Sequence, residues 1–371
     1  MITFNIYILG IAFRFFGGLL FGYIGDKYGR KTSLIISLFA TGISTALLGV
    51  LPDNSVWGIY ATGIFCLIRI IQGLSIGGEV PNAAIFIIEH LSNHKKGVWY
   101  HSCNCCFRYF FSFNYRLPSQ KLFPNSSLSW RIPFILGGFV AVVGLYLRLK
   151  VQETPIFLSL QKDKLIEKLP IKNLLRYNYK NVILATSVST VTCVMSYTIT
   201  GYFNIFFQKI LLLSSHLAMS YSLFCSFFFI MSLIIMGYIC DKITYKVLFK
   251  RACYWIIILV LPVFYCISSK SIYLTLSSLA LFSIMAASVC SCIYSYIFNL
   301  YAPSERCTGI SFSLNLGNSI VATVSIIISK YLNKISFNYA QALYIISVIT
   351  LYLVISSYIN NKKMVRRKQH E

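Results

Sequence analysis

Residues 22–31 read GYIGDKYGRK and residues 237–246 read GYICDKITYK. The two segments agree at six of ten positions without a gap, and each follows one long apolar stretch and precedes another. A basic turn that recurs between apolar stretches marks a chain built from two related membrane-crossing halves, the parallel-repeat arrangement of transporters. The joint between the halves is the polar stretch from Arg148 to Lys180, which holds Lys150, Lys162, Lys164, Lys168, Lys172 and Arg176. The expected division is therefore an N-terminal helical bundle over 1–148, a central cytoplasmic loop over 149–180, a C-terminal helical bundle over 181–360 and a basic cytoplasmic tail over 361–371.

Outward from these turns, residues 33–51, 132–147, 181–208, 217–240, 252–269, 271–304, 307–329 and 335–361 carry no charged side chain. Roughly 20 apolar residues suffice for a helix to cross a bilayer, and lipid forces every backbone N–H and C=O to be paired within the segment. Barrel strands would be about ten residues of alternating polarity. An all-α polytopic membrane protein is expected. Of the 371 residues, 57% are hydrophobic and 12% charged, with a mean hydropathy of +0.70; a soluble domain carries about 25% charged residues. Met1 leads into an apolar segment that reads as a span rather than a cleaved signal.

The net charge of +23 sits in short loops. Lys27, Arg30 and Lys31 form one cluster, Lys95 and Lys96 another, Lys242, Lys246, Lys250 and Arg251 a third, and Lys362, Lys363, Arg366, Arg367 and Lys368 the last. This is the positive-inside pattern, and it accounts for the charge without a nucleic-acid partner. Crossings are expected at about 3–24, 33–51, 57–90, 98–121, 131–148, 181–208, 216–240, 252–269, 271–300, 307–329 and 337–359. These eleven spans place Met1 outside and the tail inside. The segment 98–121 is the poorest of them, because a central Arg108 costs roughly 2.5–3.5 kcal/mol on insertion scales.

Most of the 12 cysteines fall inside apolar stretches, where Cys behaves as a small hydrophobe, and no disulfide framework is expected. His101, Cys103, Cys105 and Cys106 lack zinc-site spacing, so neither a metal nor another cofactor is expected. GDKYGRKT has too few residues between its glycines for a phosphate-binding loop. No G-x-S-x-G, no H-E-x-x-H and no paired carboxylates at catalytic spacing occur, which argues against an enzyme.

Gly25-Asp-Lys-Tyr-Gly-Arg-Lys31 resembles the loop between helices 2 and 3 of major facilitator transporters. Arg69-Ile-Ile-Gln72-Gly73 is similar to the fourth-helix R-x-x-Q-G motif of that superfamily, and Gln72-Gly-Leu-Ser-Ile-Gly-Gly-Glu79 resembles its metabolite:proton symporter branch, which includes proline/glycine-betaine permeases. Glu89 with Lys95, Lys96 and Gly97, Trp130-Arg-Ile-Pro-Phe134, Gln152-Glu-Thr-Pro155, Arg306-Cys-Thr-Gly309 and Asn315-Leu-Gly317 extend the resemblance over nearly the whole chain. It implies the two-bundle fold with the first family helix missing. The departures are Arg14-Phe-Phe-Gly17-Gly18 where the family has R-P-L-G-G, residues 101–128 in place of a fifth helix, and Thr244 and Tyr245 in the second loop copy.

Charges inside the spans are Arg14, Arg69, Glu79 and Arg108, with Glu89 near an end. Such groups are functional candidates by default. Arg69, Gln72 and Glu79 share roughly one helix face, about 15 Å from first to last. Glu79 is the expected proton carrier, with Arg69 tuning it; a network that merely ties helices together is the competing reading. Gln72 is a substrate-binding candidate, and the resemblance adds Arg14. Gly25, Asp26, Gly29, Arg30, Lys31 and Asp241 are the expected conformational loop residues, with Asp26 either capping the next helix or pairing with a nearby Arg. Gly73 and Gly77 read as a close-packing stripe, and Pro81 as a kink that frees a carbonyl.

The expectation is a secondary active transporter coupling protons to a small zwitterionic or anionic solute (proline, betaine or dicarboxylate type), monomeric in a bilayer. A non-transporting paralogue stands as the alternative; a membrane enzyme would need clustered His or Asp, and the two-half repeat argues against a channel. The abundance of Ile, Lys, Asn, Ser and Tyr points to an AT-rich bacterial genome and to the inner membrane.

Overall fold

The computed structural model describes residues 2–52, 57–91, 131–167, 170–269, 271–332 and 339–368. The 98–121 crossing and the His101–Cys106 cluster lie outside them. The helices are α1 (Ile2–Lys27), α2 (Arg30–Val50), α3 (Ile59–His90), α4 (Ile132–Lys150), α5 (Pro155–Lys162), α6 (Pro170–Tyr177), α7 (Tyr179–Tyr197), α8 (Ser215–Lys242), α9 (Tyr245–Ile267), α10 (Ile272–Cys290), α11 (Ile293–Phe298), α12 (Arg306–Leu332) and α13 (Ala340–Lys368). No strand occurs among the described residues. Eight helical segments among them are long and apolar enough to cross a membrane.

Several boundaries depart from the expected ones. The expected central loop, residues 149–180, carries two short helices. Thr154 starts α5, its Oγ1 accepting from Phe157 N, with Pro155 at the first helical position, where a missing N–H is harmless. The 271–300 span is broken at Ser291–Cys292 into α10 and α11, and α13 runs on through the basic residues to Lys368. Beyond Tyr197, α7 continues through two π-helical stretches, Thr198–Tyr202 and Phe206–Ile210.

The chain clusters into two compact units. One contains α1 to α6 and also Tyr301–Ser319, the first half of α12; the other contains α7 to α11 and the residues after 319. In the first unit, α1 and α3 meet backbone to backbone. A Cβ on Gly73 would stand 2.2 Å from Gly10 O, one on Gly77 2.1 Å from Arg14 O, and one on Gly17 1.8 Å from Leu74 O. The contact α2–α4 is similarly close, with Gly42 against Ala141 and Gly138 against Ala46. Small residues of this kind let transmembrane helices gain dispersion contacts where no hydrophobic force drives them together. The second unit is filled by rings. Phe203 packs edge-on to Phe282 at 5.0 Å between centroids, and Phe249 likewise meets Tyr352 at 5.0 Å. Hydroxyls satisfy themselves on carbonyls one turn back, as Thr41 does on Ser37 O and Ser75 on Ile71 O, the usual refuge for a polar atom at membrane depth.

Candidate functional site

Among the described residues of the first unit, most of the expected site residues fall into three polar clusters. Around the 25–31 turn, α1 ends at Lys27 and α2 starts at Arg30, with Gly29 between them at φ 110°. Asp26 is buried, and its two carboxylate oxygens accept from Cys307 N at 2.9 Å and Thr308 N at 2.8 Å. It therefore caps α12 rather than the helix that follows it in sequence. An anion is stabilised at these first-turn N–H groups, which have no helical acceptor. Arg30 lies 3.8 Å from Asp26 and, through Nε, 3.3 Å from Glu89 Oε2. Its terminal nitrogens donate to Gly25 O and Pro303 O, and its plane lies 5.1 Å from the Phe157 ring centre. Arg306 completes the set by donating to Glu89 Oε1 at 3.1 Å. Two guanidinium groups thus share one buried carboxylate, a paired arrangement that makes burial of charge tolerable. Lys31 presents its backbone N–H to Glu153 and its Nζ to Leu149 O. Gly25 is packed against Cys307, 3.1 Å from where a Cβ would sit.

Further along α3, Glu79 forms a 3.2 Å ion pair with Arg148 of α4. The two side chains are 20% and 26% exposed, and Arg148 also donates to Leu34 O of α2 at 3.2 Å. Beside them is a cavity of about 110 Å³ lined by Lys31, Leu34, Ala83, Phe86, Ile87, Arg148 and Val151. The third cluster is Arg69, which donates to Gln72 Oε1 at 2.9 Å; Gln72 Nε2 in turn donates to Thr45 Oγ1 of α2 at 3.0 Å. The Arg69 guanidinium lies 5.1 Å from the Phe65 ring centre and 5.8 Å from that of Phe134, a favourable cation–π setting.

The expected residues thus fall in different places. Arg69 and Gln72 come together, Glu79 pairs with Arg148, and Asp26, Arg30 and Lys31 share the turn. Arg14 is half-buried on α1 with its carbonyl against Gly77. Asp241 is exposed at the end of α8. Arg148, Glu153 and Thr45 were missed as partners. In the turn before α12, Glu305 accepts from Asn178 Nδ2. Burial, followed by the charge of Glu167, holds its carboxyl above the usual range against the pull of that hydrogen bond.

The model of the Major Facilitator Superfamily matches residues 2–326. The inner membrane metabolite transport protein YhjE of Escherichia coli K12 is 33% identical over 199 residues, 52% of this chain and 45% of that protein. A putative proline/betaine transporter of Staphylococcus haemolyticus is 32% identical over 209 residues, 54% and 45% of the two chains. These alignments span about half the length of either relative. The structure of the proton:xylose symporter XylE bound to 6-bromo-6-deoxy-D-glucose superposes with a TM-score of 0.73 at 16% identity, covering 95% of this chain and 84% of that one. The chain belongs to the Major Facilitator Superfamily.

Proposed function

We propose that this chain is a proton-coupled symporter of a small zwitterionic or anionic solute, working by alternating access. The observation that carries the reading is the Glu79–Arg148 pair, a part-exposed carboxylate inside a candidate span, held at 3.2 Å from a counter-ion that lines a cavity. A proton on Glu79 neutralises the carboxylate and weakens its hold on Arg148, so protonation is coupled to the contact between α3 and α4. Arg69 and Gln72 offer a cation and an amide for a solute carboxylate, with Thr45 accepting from the Gln72 amide while its own hydroxyl donates to Thr41 O. The cluster of Asp26, Arg30, Glu89 and Arg306 holds the cytoplasmic side closed. The working protein has its N-terminal bundle over 1–148 and its C-terminal bundle over 181–360, and acts as a monomer in a bacterial inner membrane. Relatives described as proline/betaine and ectoine/proline transporters suggest compatible solutes as the class.

The test is uptake of labelled proline, glycine betaine and 2-oxoglutarate into proteoliposomes with an imposed proton gradient. Gradient-dependent accumulation of one of them is expected. Correctly inserted protein that accumulates none would contradict the proposed solute class, and gradient-independent uptake would contradict the coupling.

A further inference from the structure

Helix α3 carries Pro81 in its interior. Proline has no N–H, so the carbonyl four residues earlier, that of Gly77, loses its helical donor. Asn315 of α12 supplies the replacement: its Nδ2 donates to Gly77 O at 2.7 Å and to Ser311 O of its own helix at 2.8 Å. Asn315 is 5% exposed. Both N–H groups of the carboxamide are therefore used, one on each helix. The approach requires Gly18 on α1, where a Cβ would stand 2.4 Å from Asn315 Nδ2. Leucine would fill the space and leave the carbonyl bare, and aspartate has no N–H to offer.

Apart from one ring contact, Phe312 against Phe15 of α1 at 5.2 Å between centroids, the segment that Asn315 holds is attached by separable polar contacts. Cys307 N and Thr308 N meet Asp26, and Arg306 meets Glu89. Its apposition to α1 runs along Gly18, Gly22 and Gly25, which bring little apolar side-chain area to the contact. Hydrogen bonds of this kind exchange for water when a gap opens, at much lower cost than separating interlocked apolar side chains.

We infer that Asn315 is a positioning residue that acts as a latch. Its amide stands in for the missing Pro81 N–H and clamps the first half of α12 onto α1 and α3, and its release accompanies opening of the transporter to the cytoplasm. Only that last clause rests on the transport reading above.

The test uses the full chain in proteoliposomes and follows alkylation of individual cysteines by N-ethylmaleimide, read by peptide mass spectrometry. Cys307 is fully buried beside Gly25 and reports detachment of α12; Cys253, fully buried in the other unit, reports general loosening. Asn315→Ala is expected to speed alkylation of Cys307 on the order of tenfold, the effect of stranding one buried carbonyl, with Cys253 unchanged. In a Pro81→Ala background the residue-81 N–H is restored, so the same change should speed it far less. An equal effect in both backgrounds, no effect, or a parallel rise at Cys253 would each overturn the latch. Gradient-driven uptake by Asn315→Ala with wild-type rate and affinity would overturn its part in opening. Failure of the wild type to transport, with the cysteine pattern as expected, would remove the transport reading and leave the hydrogen-bond latch in place.

Discussion

Gly29 adopts φ 110° and ψ 149°, a region that side chains avoid, and a Cβ there would stand 2.3 Å from Glu153 Oε2. Gly29→Ala is expected to cost about 1–3 kcal/mol and to displace Glu153 from the Lys31 N–H; an unchanged thermal midpoint in detergent would contradict this. Glu305 gives a pH dependence with a definite sign. Its carboxyl is held above its usual range by burial and by Glu167, so its contribution to stability is present at low pH and is lost as pH rises through the raised value. Glu305→Gln should remove that slope from a stability-versus-pH curve, whereas an identical curve would show that another group carries it. At this scale the sequence is readable where a residue type carries its own geometry, as Gly29 does for a turn and Asp26 for a helix N-terminus. It is silent about partners. Nothing local to Glu79 points to Arg148, 69 positions away, so Arg69 on the same helix face drew the assignment instead. Asp26 showed a capping residue without showing that the capped helix lies 280 positions downstream.

Helix α3 gathers most of what the fold depends on. Its face toward α1 has no room for side chains, since a Cβ on Gly77 would stand 2.1 Å from the Arg14 carbonyl oxygen, whereas a Cβ on Gly63 would meet nothing within 4 Å. Gly77→Leu should therefore abolish the folded, monodisperse protein in size-exclusion chromatography while Gly63→Leu leaves it intact; equal behaviour of the two variants would contradict the packing account. The Gly73–Gly77 stripe was legible because i, i+4 small residues need only helical periodicity to fall on one face. The carbonyl freed by Pro81 was legible for the same reason, being a property of one helix. Its donor, Asn315, was not, because sequence periodicity says nothing about which distant helix approaches. The break between α10 and α11 was hidden as well, since an apolar run reads alike whether it is continuous or interrupted by a turn such as Ser291–Cys292.

The molecule as a whole repeats its basic turn at 22–31 and 237–246, and the chain clusters into two compact units. Their membership is less simple, because Tyr301–Ser319 clusters with the first unit. Capping by Asp26, pairing with Glu89 and the Asn315 hydrogen bond explain that assignment, and all three are long-range. The expected topology of eleven crossings predicts that a membrane-impermeant thiol reagent applied from outside labels a cysteine introduced at Asn54 but not one introduced at Lys246; labelling of Lys246→Cys from outside would invert the orientation drawn from the basic loops. Glu79 is the proposed carrier of the coupled proton. That role is tested most directly by comparing wild type with Glu79→Gln in proteoliposomes, measuring both pH-gradient-driven accumulation and gradient-independent solute exchange. The account predicts that the variant loses accumulation and keeps exchange. Accumulation by Glu79→Gln at the wild-type level would contradict it.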